Sequence, residues 1–229
     1  MHAFKYHRPS SLNDAAALMK GDAKLLAGGQ TLVQTMKLRL ASPSDIVDLG
    51  TIKDLAGIKS DGKTVTIGAM ARHADVAHSA DVKKAIPALA ALAGMIGDRQ
   101  VRAMGTCGGS IANNDPAADY PAAVLALNAT ITTNKGKHEA DKFFKGLYET
   151  ALKADEIITS ISFQIPKRAA YMCSRIRPRA SPSSASSSPT SAAAFASRSP
   201  ARAPACSARP IWKKRSPRSS HPSRWRTSR

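Results

Sequence analysis

The distribution of acidic residues restricts the folded part of this chain more than any other feature of its sequence. All 16 Asp and Glu of the 229 residues lie before residue 173, together with 21 Lys and Arg. The remaining residues, 173–229, contain 13 Lys and Arg and no acid, with 16 Ser, 10 Ala and 8 Pro. Such a segment buries too little apolar surface to offset its ordering entropy. We therefore expect a folded part of about 172 residues followed by a disordered basic tail.

The cysteines and the start of the chain limit the kind of protein this is. Cys107, Cys173 and Cys206 have no C-x-x-C spacing, and any disulfide scheme leaves one of them unpaired. This argues against a zinc site and against a secreted disulfide scaffold. The first residues lack the apolar core of a signal peptide, and no run approaches the roughly 18 apolar residues of a membrane helix. We predict a soluble cytoplasmic protein without membrane insertion.

Helices and strands alternate at short spacing through the first 172 residues. The apolar patterns and turn residues predict strands at 24–27, 46–49, 64–67, 129–133 and 157–165, and helices at 12–19, 32–40, 82–96 and 121–127. Ser11 to Asp14 resemble a capping box, and Pro87 lies near the first turn of its helix. This mixture predicts an α+β or α/β domain, and we favour α+β. Residues 178–210 show no apolar periodicity, no helix cap and no strand run.

A diglycine turn separates the strand at 24–27 from the helix that follows it. The sequence A-G-G-Q-T at 27–31 lacks Cβ atoms where the chain turns, so its backbone N–H groups can approach an anion. The positive end of the next helix favours the same ligand. A Gly-Gly pair after a strand is more often only a tight turn. By itself this motif therefore leaves both a phosphate site and a plain turn open.

A second diglycine motif repeats the pattern and adds two carboxylates. Residues 105–119 read G-T-C-G-G-S-I-A-N-N-D-P-A-A-D, and two such anion nests suit a pyrophosphate. Asp119 can accept hydrogen bonds from a ribose, or it can cap the helix that starts near Pro121. Asp115 precedes a proline and suits an Asx turn as well as a ligand. The two carboxylates do not form a convincing acid/base pair.

The two glycine motifs and their surroundings resemble the FAD-binding subunits of the molybdenum hydroxylases, the family of carbon monoxide and xanthine dehydrogenases. The matching segments are AGGQTLVQTMKLRLASP at 27–43, GTCGGSIANNDPAADYPA at 105–122, FKYHRPSSL at 4–12, IGAMARHADV at 67–76, RQVR at 99–102 and FFKGLYETALKADEIIT at 143–159. Several motifs in the right order make the match specific, and it covers nearly all of residues 1–172. Departures are small: Thr31 stands where Ser is common, and Cys107 where Ile is common.

The resemblance implies a two-lobed FAD-binding fold of the vanillyl-alcohol-oxidase (PCMH) type. Residues 1–57 would form a small N-terminal lobe and residues 58–172 a second lobe, with FAD held between them. By the matched motifs, the pyrophosphate would be held by Ala27, Gly28, Gly29, Gln30 and Thr31 together with Thr106, Cys107, Gly108, Gly109 and Ser110. Asp119 would hold the adenosine ribose. Ile157 or Ile158 would lie near the adenine or flavin, although burial in a strand explains these two residues equally well.

The resemblance also implies an electron-transfer role without a catalytic residue or a metal ligand on this chain. In the family, a molybdenum cofactor on a large subunit oxidises the substrate and determines its identity. Two [2Fe-2S] clusters on a small subunit relay the electrons, and noncovalent FAD passes them to an external acceptor. The absence of clustered cysteines fits that division. The large and small subunits are therefore the expected partners.

Two other functions are compatible with parts of the sequence. A free-standing FAD-dependent oxidoreductase would use the same domain without partner subunits. A nucleic-acid-binding protein would act through the basic tail, but that tail offers only Phe195, Trp212 and Trp225 for base stacking. We expect no nucleic-acid partner.

The composition of residues 173–229 suggests a shifted reading frame. Family members continue after this point with an ordered C-terminal domain, whereas this chain changes abruptly to Arg, Ser, Ala and Pro. In GC-rich DNA a one-base shift turns codons for apolar residues into codons for Ser. One allowed back-translation of residues 174–203 contains the strand-like stretch FALVGVFVADF. We therefore predict that the tail is a frame-shifted remnant of that domain without a function of its own.

Overall fold

The structure combines short strands and helices in the order expected of an α+β protein. The computed structural model describes residues 1–174 and 192–197. The strands are β1 Lys5–His7, β2 Lys24–Leu26, β3 Asp45–Asp48, β4 Ile58–Ser60, β5 Thr64–Gly68, β6 Thr130–Thr133, β7 Lys137–Glu139, β8 Phe144–Gly146, β9 Glu149–Thr150, β10 Ile158–Gln164, β11 Ala169–Ser174 and β12 Ala192–Ser197. The α-helices are α1 Leu12–Ala17, α2 Leu32–Lys37, α3 His73–His78, α4 Ala80–Ala85, α5 Pro87–Met95, α6 Arg99–Met104, α7 Cys107–Asn113, α8 Tyr120–Ala126 and α9 Ala140–Phe143.

A small parallel sheet with the strand order β1-β3-β2 organises the N-terminal residues. The central strand β3 pairs with β1 through Lys5 and Asp45, and with β2 through Lys24 and Ile46. Helix α1 connects β1 to β2, and the Ser11 hydroxyl accepts a hydrogen bond from the Asp14 amide at 3.1 Å, as the sequence predicts. Strand β2 therefore ends directly before the first diglycine turn.

A larger antiparallel sheet with the order β4-β5-β10-β6-β7 carries the main core. The predicted strands at 64–67, 129–133 and 157–165 correspond to β5, β6 and β10, and β10 lies at the centre of the sheet. Helices α3, α4, α5, α7 and α8 contribute to the same core, in which Leu89 and Leu92 of α5 and Phe163 of β10 are fully buried. Ile158, the first residue of β10, lies on the side of this sheet that faces the first sheet.

The predicted helix at 82–96 is divided in two. Helix α4 ends at Ala85, and α5 begins at Pro87, with Ile86 between them in a non-helical conformation (φ −139°, ψ 73°). Proline has no amide hydrogen and disfavours a helical residue before it, so it starts a new helix instead of continuing the old one.

The buried apolar side chains form two clusters, one beside each sheet. The smaller cluster contains Ala15, Val47, Leu49, Ile52 and Leu55 from the first 57 residues. It also contains Ile157, which comes from the residues just before β10. One short segment of the second half thus completes the core of the first half.

Strand β12 differs from the prediction that no residue beyond 172 is ordered. It pairs antiparallel with β11, from Ala169 opposite Ser197 to Ser174 opposite Ala192. Residues 192–197 read AAAFAS, a stretch without charge or proline, so it can enter a sheet where most of the tail cannot. The prediction of disorder is not confirmed for these six residues or for Cys173 and Ser174, which end β11. The rest of it falls on residues 175–191 and 198–229, outside the described part of the chain.

Within the described residues, no helix has the length and apolar content that crossing a lipid bilayer requires.

Candidate functional site

A cavity of about 670 Å³ lies between the two sheets, where both glycine motifs meet. Volumes of this size are typical of cofactor and small-molecule sites. Ten of the twelve predicted site residues line it: Ala27, Gly28, Gly29, Gln30, Thr31, Thr106, Gly108, Gly109, Ser110 and Ile158. The structure therefore brings these residues together around one space, although their motifs lie far apart in the chain.

The first glycine turn, residues 27–31, supplies unpaired hydrogen-bond donors. The backbone amides of Gly28, Gly29, Gln30 and Thr31 donate to no described residue. The Gln30 side chain holds the turn by donating to the Gly28 carbonyl at 3.3 Å. Gly29 has φ +70°, a left-handed conformation that favours glycine. The turn can therefore present several amides to one anion in the cavity.

Gly28 is required by the backbone that faces it. A Cβ at this position would lie 2.1 Å from the carbonyl oxygen of Met104 and 2.7 Å from the Cα of Gly105. We call this contact between Gly28 and the Met104–Gly105 backbone the seam. The sequence-based prediction assigned Gly28 to the approach of a phosphate. In the structure, the approach of the second motif's own backbone already requires the glycine.

The second glycine turn, residues 105–110, uses its amides differently. Cys107 and Gly108 donate to the carbonyls of Ala71 and Ala69, and Gly109 donates to the Thr106 hydroxyl at 3.2 Å. These amides are therefore not free for a ligand, contrary to the expectation of a second amide nest. The Ser110 hydroxyl makes no hydrogen bond with a described residue, so it is a polar group of this turn that can bond to a ligand.

Cys107 and Asp119 do not line the cavity. The Cys107 side chain is fully buried in the main core, and burial raises the pKa of its thiol far above the usual range. Asp119 accepts a hydrogen bond from the Tyr171 hydroxyl at 2.6 Å and makes no side-chain cap for α8. Its role with a ribose stays a prediction. Asp115 does line the cavity, and it forms the expected Asx turn by accepting from the Ala117 amide at 2.8 Å.

The segment before β10 forms another part of the wall and contains a buried carboxylate. Glu156 is 5% exposed, and its Oε1 accepts from the Thr133 hydroxyl and lies 2.6 Å from Nε2 of His138. Its Oε2 accepts from the Lys153 amide at 3.1 Å. Burial raises the pKa of Glu156, but the hydrogen bonds from His138, Thr133 and Lys153 lower it more, to about 2. The carboxylate therefore fixes the position of Ile157 and Ile158 beside the cavity.

His73 lines the cavity although the sequence analysis assigned it no role. It is 5% exposed, and burial lowers the pKa of its imidazole to about 4. Its ring lies 5.4 Å from the ring of Tyr120, centroid to centroid. The segment IGAMARHADV contains His73, so the resemblance marked the region, but nothing in the sequence pattern indicates that this side chain is buried.

Comparison with known protein families identifies a match for most of the chain. Residues 2–167 match the family described as the FAD binding domain in molybdopterin dehydrogenase. The chain is 42% identical over 165 residues to the carbon monoxide dehydrogenase medium chain of Hydrogenophaga pseudoflava, covering 69% of this chain and 58% of that one. It is 41% identical over 172 residues to the nicotine 6-hydroxylase medium subunit of Paenarthrobacter nicotinovorans, covering 72% and 60%.

Solved structures agree with the sequence matches. A chain of the carbon monoxide dehydrogenase from Hydrogenophaga pseudoflava has a TM-score of 0.73 at 38% identity, covering 78% of this chain and 65% of that one. A chain of quinoline 2-oxidoreductase from Pseudomonas putida 86 has a TM-score of 0.73 at 31% identity, covering 78% and 64%. The chain therefore spans less than two thirds of the length of these relatives.

Proposed function

Because this chain belongs to the family of FAD binding domains in molybdopterin dehydrogenase, we propose that it binds FAD noncovalently in the cavity between its two sheets. It acts there as the electron-transfer subunit of a molybdenum hydroxylase. FAD, when bound, accepts electrons that come from iron–sulfur clusters and passes them to an external acceptor. The domain boundary at residues 57 and 58 and the PCMH-type arrangement belong to the same proposal.

The observation that carries this proposal is the set of free amides at the first glycine turn. Four consecutive residues, 28–31, have backbone N–H groups without a described partner, and all four residues line the cavity. Ser110 lies across from them in the second turn with a free hydroxyl. A diphosphate has several acceptor oxygens and two negative charges, so it suits such a cluster of donors better than a neutral ligand does.

The residues of this chain bind and orient the cofactor, and none of them has to move a proton. Residues 28–31 would hold the diphosphate, and Ile157 and Ile158 would contact an aromatic ring of FAD. A covalent bond is not expected, because Gln30 occupies the first turn and the Cys107 thiol is buried away from the cavity. The molybdenum cofactor and the [2Fe-2S] clusters would belong to a large and a small partner subunit, in the cytoplasm and without a nucleic-acid partner.

FAD binding is tested by titrating the full chain while flavin fluorescence is recorded. We expect saturable quenching at one FAD per chain, and we expect acid precipitation to leave the yellow colour in solution. A yellow protein pellet would contradict noncovalent binding. No quenching at any FAD concentration would contradict the assignment of the cavity.

The electron-transfer role is tested in the complex. The chain is coexpressed with the large and small subunits of a molybdenum hydroxylase, and reduction of FAD is followed after substrate is added. We expect bleaching of the flavin absorbance in the complex and none in the isolated chain. If the isolated chain binds FAD, is not recovered with either subunit and oxidises a substrate by itself, the free-standing oxidoreductase is the better description.

A further inference from the structure

The His73 side chain lies inside the wall of the cavity, at the point where the two glycine turns meet. It is the first residue of α3, and its amide donates to the Gly105 carbonyl at 2.9 Å. The neighbouring residue Arg72 forms an isolated β-bridge with Thr106. The backbone that positions His73 is thus bonded directly to the second glycine turn.

The imidazole of His73 has no hydrogen-bond partner in the described part of the chain. Nδ1 is fully buried without one, and no described residue bonds to Nε2. A Cβ at Gly105 would lie 2.7 Å from Nε2, so this nitrogen lies against the Gly105 backbone. Since His73 is only 5% exposed and lines the cavity, its small accessible part faces the cavity. Because Nδ1 is the fully buried nitrogen, Nε2 is the nitrogen that a ligand in the cavity can reach, and without such a ligand Nε2 lacks a hydrogen bond.

The charge state of the imidazole determines which ligand atoms can form a hydrogen bond with it. Burial lowers its pKa to about 4, so the ring is neutral near pH 7 and carries one N–H donor and one acceptor nitrogen. A ligand oxygen without a proton of its own can accept from that N–H. Phosphate oxygens are such acceptors.

We propose that His73 is a positioning residue for the cofactor and that its imidazole donates a hydrogen bond from Nε2 to the diphosphate of bound FAD. The location of Nε2 indicates the diphosphate as its partner and not the adenine, the ribose or the flavin ring. Nε2 lies against Gly105, Gly105 contacts Gly28 across the seam, and Gly28 begins the run of free amides in the first turn. The proposal rests on the proposed function, because it requires FAD in this cavity.

Two structural roles would explain the same burial without a ligand. His73 packs against Tyr120, whose buried hydroxyl interacts with the Cys107 thiol. In the first role the ring is needed only for its shape, and in the second, one internal water bridges Nδ1 and the Tyr120 hydroxyl. Neither role involves FAD, so FAD binding separates them from the proposal.

The test replaces His73 by Phe, which keeps a planar ring against Tyr120 and removes both nitrogens. We expect the Kd for FAD to rise by about tenfold or more, the range for losing a hydrogen bond to a charged group. The melting temperature without FAD should stay the same or rise, because an unpaired buried polar group has been removed. The matched control is His78→Phe, on the exposed face of the same helix, for which we expect a Kd within about twofold of the wild-type value.

Phosphorus NMR of bound FAD reads the diphosphate directly. We expect at least one of its two signals to differ between the wild type and His73→Phe, and to be unchanged in His78→Phe. A second variant, His73→Gln, keeps an N–H donor near the same place and should recover part of the lost affinity. If His73→Phe does not fold, His73→Gln takes its place in the test. A purely structural role of His73 predicts that the phosphorus signals of FAD bound to His73→Gln equal those of FAD bound to the wild type, whatever the affinity.

The outcomes distinguish this proposal from the proposed function. If His73→Phe binds FAD as tightly as the wild type, with the same phosphorus signals, His73 is a packing residue and the proposal is overturned. If the wild type itself does not bind FAD, the proposed function fails first. A higher Kd with altered phosphorus signals, partly restored in His73→Gln, supports the hydrogen bond.

Discussion

At the scale of single residues, the sequence explains only in part why the two motifs require glycine. The sequence predicts that glycine is needed where a phosphate approaches the turns. The structure assigns Gly28 to contact with Met104 and Gly108 to contact with Ala69, whose Cβ would lie 2.6 Å from an added Cβ. These partners are distant in the chain, so no local pattern reveals them. The residue types were therefore predictable, and their packing partners were not.

Replacing either Gly29 or Gly109 by Val should abolish FAD binding. At Gly29, φ is +70°, which a β-branched residue rarely adopts. At Gly109, an added Cβ would lie 2.8 Å from the Thr106 hydroxyl, which accepts from the Gly109 amide. Fluorescence titration with FAD measures the effect. Gly136→Val is the control, since no atom lies within 4 Å of a Cβ there, and wild-type affinity in both site variants would remove the two turns from the FAD site.

Replacing Gly28 by Ala should weaken the fold as well as FAD binding. The new Cβ would meet the Met104 carbonyl oxygen at 2.1 Å, so the backbone has to move. Overpacking of this kind typically costs about 1–3 kcal/mol. We expect a melting temperature several degrees below that of the wild type, measured by circular dichroism beside Gly136→Ala. An unchanged melting temperature would mean that the seam opens easily.

At the scale of secondary-structure elements, each predicted strand agrees with a described strand to within one residue at either end, but short strands such as β4 and β7 and helices such as α3 and α6 were not predicted. The alternation in residues 64–67 and 129–133 correctly indicates β5 and β6. The apolar content of residues 82–96 indicates a helix, and the prediction missed its division because it placed Pro87 near the first turn of one helix, whereas Pro87 begins a second helix. The sequence also does not show that Ile157 belongs to the smaller core, since that contact joins two sheets.

The segment between β9 and β10 should lose stability in acid through Glu156. Its folded pKa of about 2 lies below the ordinary value of 4.5, so the carboxylate contributes stability above about pH 4.5 and loses it as the pH falls towards 2. Glu156→Gln should lower the melting temperature at pH 7 by about 5 °C. The difference from the wild type should become smaller at pH 4. The exposed Glu149→Gln is the control, and a difference that grows in acid would contradict the assignment.

At the scale of the whole molecule, the amino-acid composition changes abruptly after residue 172, and this change is visible in the sequence alone. The chain spans 58% and 60% of two medium-chain relatives, and its matches to them cover 69% and 72% of this sequence. Composition alone indicates where the resemblance stops. It does not indicate β12, because pairing with β11 depends on a strand edge that composition cannot reveal.

We predict that the gene contains a frame shift near codons 170–175. Resequencing this region is the first measurement. Restoring the frame should give a chain with higher FAD affinity and less aggregation, because the family's C-terminal domain would then cover a surface of the second lobe. The two chains are compared by FAD titration and size-exclusion chromatography. A confirmed uninterrupted frame, together with a compact and protease-resistant segment 173–229, would contradict the prediction.

The seam has a consequence for how quickly the cofactor can enter. Gly28 and the Met104–Gly105 backbone are in close contact, so the two halves cannot approach each other further at this point. We therefore expect the entrance to have a fixed width, so that FAD enters a preformed cavity and its binding does not require the two halves to close. Association should proceed in one kinetic phase whose rate rises in proportion to FAD concentration, without a plateau from a slow rearrangement.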